Sequence, residues 1–370
     1  MKHNQKKRIV FIDLMRAFAV IMMIQGHTTD TFLSDEYRNP ESLVYNVWLT
    51  MRGFTAPIFM FSSGLIFTYL LKPDKYDFFS NPRIIKGIKR GFTLIGIGYL
   101  LRFPTHRIFD LASVNKQQWD GFLIVDALHL IGAGLLSIIV IVYFTKLFKI
   151  HLNLSIGLSI LFLFIVSPYI AKVNWDNYLP QIVTGYLYSK NGSFFPIFPW
   201  IIYVLSGAML GYFLSLNEGI YFKKRFSILL FTIGSLLVGF YLAIYAFSYL
   251  LPQNVSDWLY ANSIIIARLG YVIIANSLMA FIARNFNHIP KIISDTGKKT
   301  LMLYVAHVII LYGCALFPGF NKFWGRTLTS YQTIAAAILM LGLMLLLVLY
   351  SDRISNYWRN KFKFNKVKAI

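Results

Sequence analysis

Residues 330–350, SYQTIAAAILMLGLMLLLVLY, run for 21 positions without one acidic or basic side chain. An α-helix of that length is about 31 Å long, the thickness of the hydrocarbon core of a bilayer, and about 20 such residues define a membrane-spanning helix. Working outward, nine more apolar stretches of similar length follow: 9–29, 43–71, 84–103, 121–146, 152–171, 194–215, 226–251, 258–283 and 299–317. The expected fold class is therefore all-α, a polytopic integral membrane protein of about ten transmembrane helices. It reads as a single transmembrane domain over 1–370 with basic tails at 1–8 and 352–370.

Composition supports this reading. The 370 residues are 57% hydrophobic and only 14% charged, whereas a soluble domain carries about a quarter charged residues. The net charge of +21 does not point to nucleic acid, because the basic residues form short clusters between apolar runs and no single stripe. The lone Cys314 can form no disulfide within the chain. The basic start at Lys2, Lys6, Lys7 and Arg8 imitates a secretory signal, but Asp13 and Arg16 interrupt the apolar run and no small-x-small site follows at Gln25 to His27. This segment is expected to remain as the first membrane helix.

Loop charges supply an orientation that does not depend on the spans. With the N-terminus inside, and with basic residues towards the span ends counted with the adjoining loop, 25 of the 36 Lys and Arg residues fall in cytoplasmic segments, eight fall in outer loops, and Arg16, Arg52 and Arg268 lie within spans. That is the bias of the positive-inside rule, and both termini are expected in the cytoplasm. The loop after the second span concentrates Lys72, Lys75, Arg83, Lys86, Lys89 and Arg90. Such a cluster suits anionic lipid, and equally the phosphates of a soluble cofactor. The outer connection 172–193 carries Trp175, Tyr178, Tyr186 and Tyr188, an interface belt or a platform for sugar rings, with a short interfacial or re-entrant helix expected near 178–187.

Ionisable groups inside spans cost at least about 2.5 kcal/mol each and are functional candidates by default. The first span carries Asp13, Arg16 and His27, the second Arg52, the fourth Asp126 and His129, the eighth Arg268 and the ninth His307. Asp13 and Arg16 are three apart on one helix face and suit an ion pair, structural or functional. Asp126 and His129 repeat that spacing, and a carboxylate beside imidazole suits a general base or a proton carrier. His27 lies about 16 Å beyond Arg16 along the axis, so His27 and His129 can share the outer half of the bundle. His106 sits in the basic outer segment Arg102-Phe103-Pro104-Thr105-His106-Arg107. No phosphate loop, metal-ligand spacing or nucleophile elbow is present, which argues against an ATP-driven pump.

The segment Arg8-Ile9-x-x-Ile12-Asp13-Leu14-x-Arg16-Ala17-x-Ala19-Val20, ending at His27, resembles the first helix of the membrane acyltransferase superfamily. That group includes the acyltransferase-3 proteins and the heparan-alpha-glucosaminide N-acetyltransferase-like proteins. Four further segments, in order, are similar to the second branch: Arg52 to Phe61 with Gly64, Asp126 to Gly132, Phe195 to Trp200 through Gly207 and Gly211, and Thr300 to His307. Ala17 departs from the family, where glycine is common.

The resemblance implies acyl transfer from a cytoplasmic acyl-CoA, acetyl-CoA first among them, to a hydroxyl or amino group of a glycan acceptor across the membrane. Acyl-CoA would be a co-substrate and no cofactor would be held tightly. The implied catalytic group is His27, as base or transient acyl carrier, with Asp13, Arg16 and His129. Arg52, Arg83, Lys86, Arg90 and His307 would serve the acyl-CoA, and Asp126, Arg102, His106, Trp175 and Arg268 the acceptor. No metal is expected. The setting would be a bacterial cytoplasmic membrane, with homo-oligomerisation left open and no nucleic-acid partner. A proton-coupled transporter or flippase of a glycan or lipid-linked precursor is the competing reading, since intramembrane Asp, His and Arg sets also relay protons.

The orientation is testable with one substitution. In a Cys314→Ala background, Asp35→Cys should react with a membrane-impermeant maleimide added to the outside of intact cells; labelling only after the cytoplasmic face is opened would reverse the topology.

Overall fold

Hydrocarbon cannot satisfy a backbone N–H or C=O, so a chain of this composition must make those bonds within helices. A computed structural model of the chain describes residues 9–106, 110–286 and 288–367, and among them fifteen α-helices carry almost all of the regular structure. The basic tail expected at 1–8, Arg107 and residues 368–370 lie outside the described residues.

The first half runs α1 Val10–Phe32, α2 Leu43–Arg52, α3 Thr55–Leu71, α4 Pro82–Leu101, α5 Lys116–Phe122, α6 Ala127–Leu147 and α7 Leu152–Lys172. It continues with α8 Gln181–Leu187, α9 Ile197–Leu216, α10 Lys224–Phe247, α11 Gln253–Asn285, α12 Lys291–Lys298 and α13 Thr300–Tyr312. A two-rung hairpin, β1 Gly313–Cys314 with β2 Phe317–Pro318, then leads to α14 Asn321–Trp324 and α15 Ser330–Val367.

Each of the ten expected spans contains a helix, and among the described residues eight stretches are long and apolar enough to cross a bilayer. The count differs from ten at two places for physical reasons. Helix α4 places Arg83, Lys86, Lys89 and Arg90 in its first half, and α13 has 13 residues, about 20 Å of helix. Two boundaries also move. The expected second span breaks at Gly53-Phe54 into α2 and α3, which sets Arg52 at a helix end. The expected fourth span starts at Ala127 because Asp126 caps it, with α5 separate before it. The short helix expected near 178–187 is α8.

Helix α1 lies between two apolar clusters. Val20, Met23 and Ile24 pack with residues of α6, α9, α13 and α15, while Phe11, Ile12, Met15 and Ala19 pack with α3, α10 and α11. Outward-facing apolar residues such as Leu229, Phe231 and Leu236 on α10 and Ile338, Leu339 and Leu346 on α15 are exposed. Contiguous apolar surface of that kind belongs against lipid.

Association of helices in lipid lacks the hydrophobic drive available in water and relies on close packing through small residues. The tightest such seam joins α3 to α9. A methyl group built on Gly64 would stand 1.9 Å from the Val204 carbonyl oxygen, one on Gly207 1.9 Å from that of Phe61, and one on Gly211 2.2 Å from that of Leu65. Gly207-x-x-x-Gly211 therefore lets two backbones touch.

Gly207→Leu should separate α3 from α9 and lower the apparent melting temperature in detergent by an amount corresponding to roughly 3 kcal/mol or more. Gly239→Leu, on α10 where a methyl group meets nothing within 4 Å, should leave it unchanged. Equal effects of the two substitutions in a thermal-shift measurement would refute the seam.

Candidate functional site

A cavity of about 720 Å³ opens among α1, α2, α3, α4, α6, α9, α11 and α13. Helix α3 lines it from Thr55 to Leu70, about 22 Å of helix axis. At one end stand Arg83, Lys86 and Arg90, one to two turns apart on α4. At the other stand His27, Arg52, Asp126 and Arg268, and Arg16, eleven residues before His27 on α1, also lines the cavity. The wall between them is largely apolar, including Met22, Met23, Phe59, Phe67 and Leu94.

Each charged group at the second end is held. Arg52, at the helix break, is ion-paired with Asp30 and lies over the Trp48 ring at 5.7 Å. Asp30 also accepts from Arg38 at 3.4 Å. Arg268 lies over the Trp200 ring at 5.3 Å, and a desolvated cation on an indole face gains about 2 kcal/mol. Both guanidiniums therefore reach the cavity on aromatic supports. Arg16 donates from Nη2 to Thr300 Oγ1 at 2.5 Å, which ties α1 to the first turn of α13.

His27 is joined to a second imidazole. Its Nδ1 lies 3.1 Å from His307 Nε2, and His307 Nδ1 lies 2.7 Å from the Leu303 carbonyl oxygen one turn back on α13. His307 is fully buried and stands behind His27, away from the cavity wall. Tyr304 and Tyr312 pack edge-on against the pair.

Asp126 and His129 meet differently from the expectation. Asp126 is the N-cap of α6: one carboxylate oxygen accepts the Ala127 N–H at 2.7 Å and the other accepts Arg102 at 3.2 Å. The Asp126 backbone N–H, and not its carboxylate, points to His129 Nδ1 at 3.1 Å. The reason is the capping geometry, in which the side chain at the third helical position turns back on the cap residue. His129 is buried off the cavity, edge-on to Tyr99 at 4.3 Å, in a space that exists because residue 98 is glycine: a methyl there would lie 2.6 Å from the ring.

The remaining expected residues scatter. Asp13 is buried on α1 beneath α12, where Gly297 approaches its carbonyl. Arg102 serves Asp126 from behind the wall. His106 is exposed and donates from Nδ1 to the Cys314 carbonyl at 2.8 Å. Trp175 donates to the Ile170 carbonyl at 2.9 Å and is absent from the wall. Trp48 and Asp30 carry no sequence signal that marks them for the site, and Thr300 and Trp200 stand in the sequence only as ends of family-like segments. Asp30 fell one residue beyond the expected end of the first span, yet it sits one turn past His27 on α1.

A family model described as heparan-alpha-glucosaminide N-acetyltransferase, catalytic, matches residues 8–249. No curated protein and no solved structure matches the chain. Arg268, Thr300, Tyr304 and His307 lie beyond the matched residues and still build the cavity or its support.

Asp126→Ala removes both the cap of α6 and the partner of Arg102, and should cost about 1 to 2 kcal/mol of stability in thermal denaturation. Asp126→Asn retains the capping oxygen and should keep most of that. Indistinguishable melting of the two variants would show that the cap contributes nothing.

Proposed function

The chain belongs to the heparan-alpha-glucosaminide N-acetyltransferase catalytic family, a membrane acetyltransferase type of function, and on that premise we propose that it moves an acetyl group from cytoplasmic acetyl-CoA to a hydroxyl or amino group of a glycan or glycoconjugate on the far side of a bacterial cytoplasmic membrane. The observation that carries this reading is that one cavity is lined both by three cations on α4 and by His27. A coenzyme A thioester needs such an asymmetric path: positive charge for its phosphates, a narrow apolar passage for the pantetheine arm, and a base where the thioester ends. The excess of 25 over eight basic residues on the α4 side supports entry from the cytoplasm.

The chemistry assigned to each residue follows from position. Arg83, Lys86 and Arg90 bind the phosphates, and Arg16 lies along the path. His27 takes the proton from the acceptor O–H or N–H as that oxygen or nitrogen attacks the thioester carbonyl. Arg52 and Arg268, fixed on their indoles, face the oxyanion that develops on the tetrahedral intermediate. Collapse breaks the C–S bond, and the thiolate leaves with the proton that His27 has carried. Asp126 borders the acceptor side, while Asp13 and His129 act through helix placement. Helices α11 and α13 complete the cavity, so the chain works as one transmembrane catalytic unit.

Purified full-length protein in nanodiscs should bind coenzyme A in calorimetry and turn over acetyl-CoA slowly even without acceptor. His27→Ala should lower turnover by about 100-fold or more while binding persists. The triple change of Arg83, Lys86 and Arg90 to Gln should weaken binding by roughly 100-fold. Absence of coenzyme A binding at millimolar ligand, or full turnover in His27→Ala, would sink the assignment.

A further inference from the structure

We infer that His307 is a positioning residue that fixes the tautomer of His27, so that Nε2 of His27 is the basic nitrogen presented to the acceptor. The inference rests on the proposed role of His27, but its geometry stands independently and involves a residue beyond the stretch that the family model matches.

The argument is one of donors and acceptors along a line. The Leu303 carbonyl can only accept, so at 2.7 Å His307 Nδ1 must carry the proton and donate it. A neutral imidazole has one N–H, so His307 Nε2 is then a lone pair. That lone pair faces His27 Nδ1 at 3.1 Å, and the hydrogen between them must come from His27. With Nδ1 of His27 committed as donor, the free lone pair of its ring is on Nε2. His307 is fully buried, so water does not offer the ring a competing acceptor.

The arrangement does the job that a buried carboxylate does for a catalytic histidine elsewhere, holding ring orientation and tautomer, but with a neutral acceptor. When His27 gains the acceptor's proton on Nε2, its Nδ1–H continues to donate to His307, and the ring need not turn before it gives the proton to the departing thiolate. The carbonyl of Leu303 anchors the whole line to α13, whose first turn is also held to α1 through Thr300 and Arg16. A shift of α13 against α1 would therefore disturb base and cavity together.

The test has a structural and a kinetic arm. In ¹⁵N-histidine-labelled protein in nanodiscs at a pH where His27 is neutral, with its resonances assigned by their loss in His27→Ala, His27 should carry its proton on Nδ1. His307→Leu should abolish that preference, and a ring protonated on Nε2 in the unsubstituted protein would overturn the inference. In acetyl-CoA turnover, His307→Leu should lower kcat on the order of 100-fold and leave KM for acetyl-CoA within about threefold. His307→Gln, whose amide oxygen can accept from His27 while its nitrogen donates to Leu303, should recover at least about tenfold of the loss. Equal kcat in the Leu and Gln variants, or a defect in KM alone, would overturn the positioning role. Lack of turnover in the unsubstituted protein, with the Nδ1 proton in place, would refute the transferase reading and leave the tautomer assignment standing.

Discussion

A charged side chain at bilayer depth must face another polar group or a space that water can enter, because hydrocarbon solvates neither a charge nor an unpaired hydrogen-bonding group. The rest of this structure depends on that constraint. Arg16, Arg52, Asp126 and Arg268 occur on four different elements, and the bundle turns all four toward one cavity. The helix break at Gly53-Phe54 is tolerated for the same reason, since irregular backbone at membrane depth survives where it borders a cavity and not lipid. The tryptophan beneath Arg268 extends the logic, since an indole face offers a cation stabilisation without bringing a second charge into the site, while Arg52 is held by both an indole and the Asp30 carboxylate.

A cavity of this kind needs walls that do not collapse. Backbone contact between α3 and α9 at Gly64, Gly207 and Gly211 makes one wall stiff, and α3 is the helix that lines the cavity along its length. The α4 and α6 pair is built the same way, with Gly91 and Gly132 against each other's carbonyls and Gly98 leaving room for the His129 ring. Small residues at these seams thus set the distance between the basic end and His27. His129 then reads as part of the wall's internal fit, since its Nδ1 is occupied by a backbone N–H and its ring is closed off from the cavity.

Much of the fold and part of the site were legible in the residue order. The apolar runs located every long helix, and the weak points were α4, where basic residues share the helix with an apolar face, and α13, which is too short to cross alone. Of the residues singled out by intramembrane position, Arg16, His27, Arg52, Asp126 and Arg268 meet at the cavity, as do Arg83, Lys86 and Arg90, expected in a loop and found on α4. His106 and Trp175, selected from outer loops by residue type alone, do not. Hydropathy reports the cost of leaving water and so marks an ionisable group inside a span, but it has no such leverage in a loop where either environment is cheap.

The residue order by itself determined that this is a helical membrane protein with ionisable groups concentrated in a few of its spans, because transfer free energies are local properties of each segment. It also carried the family, since the matched motifs recur in order. Only the tertiary structure decided which of those groups face one another: that Arg16 meets Thr300 and that His307 stands behind His27, although 280 residues separate the two imidazoles. Two side chains at similar depth on different helices can touch or face opposite ways, and rotation of each helix about its axis is set by its packing against its neighbours. The direction of the hydrogen bonds through the two histidines follows from the Leu303 carbonyl, whose reach depends on the position of α13.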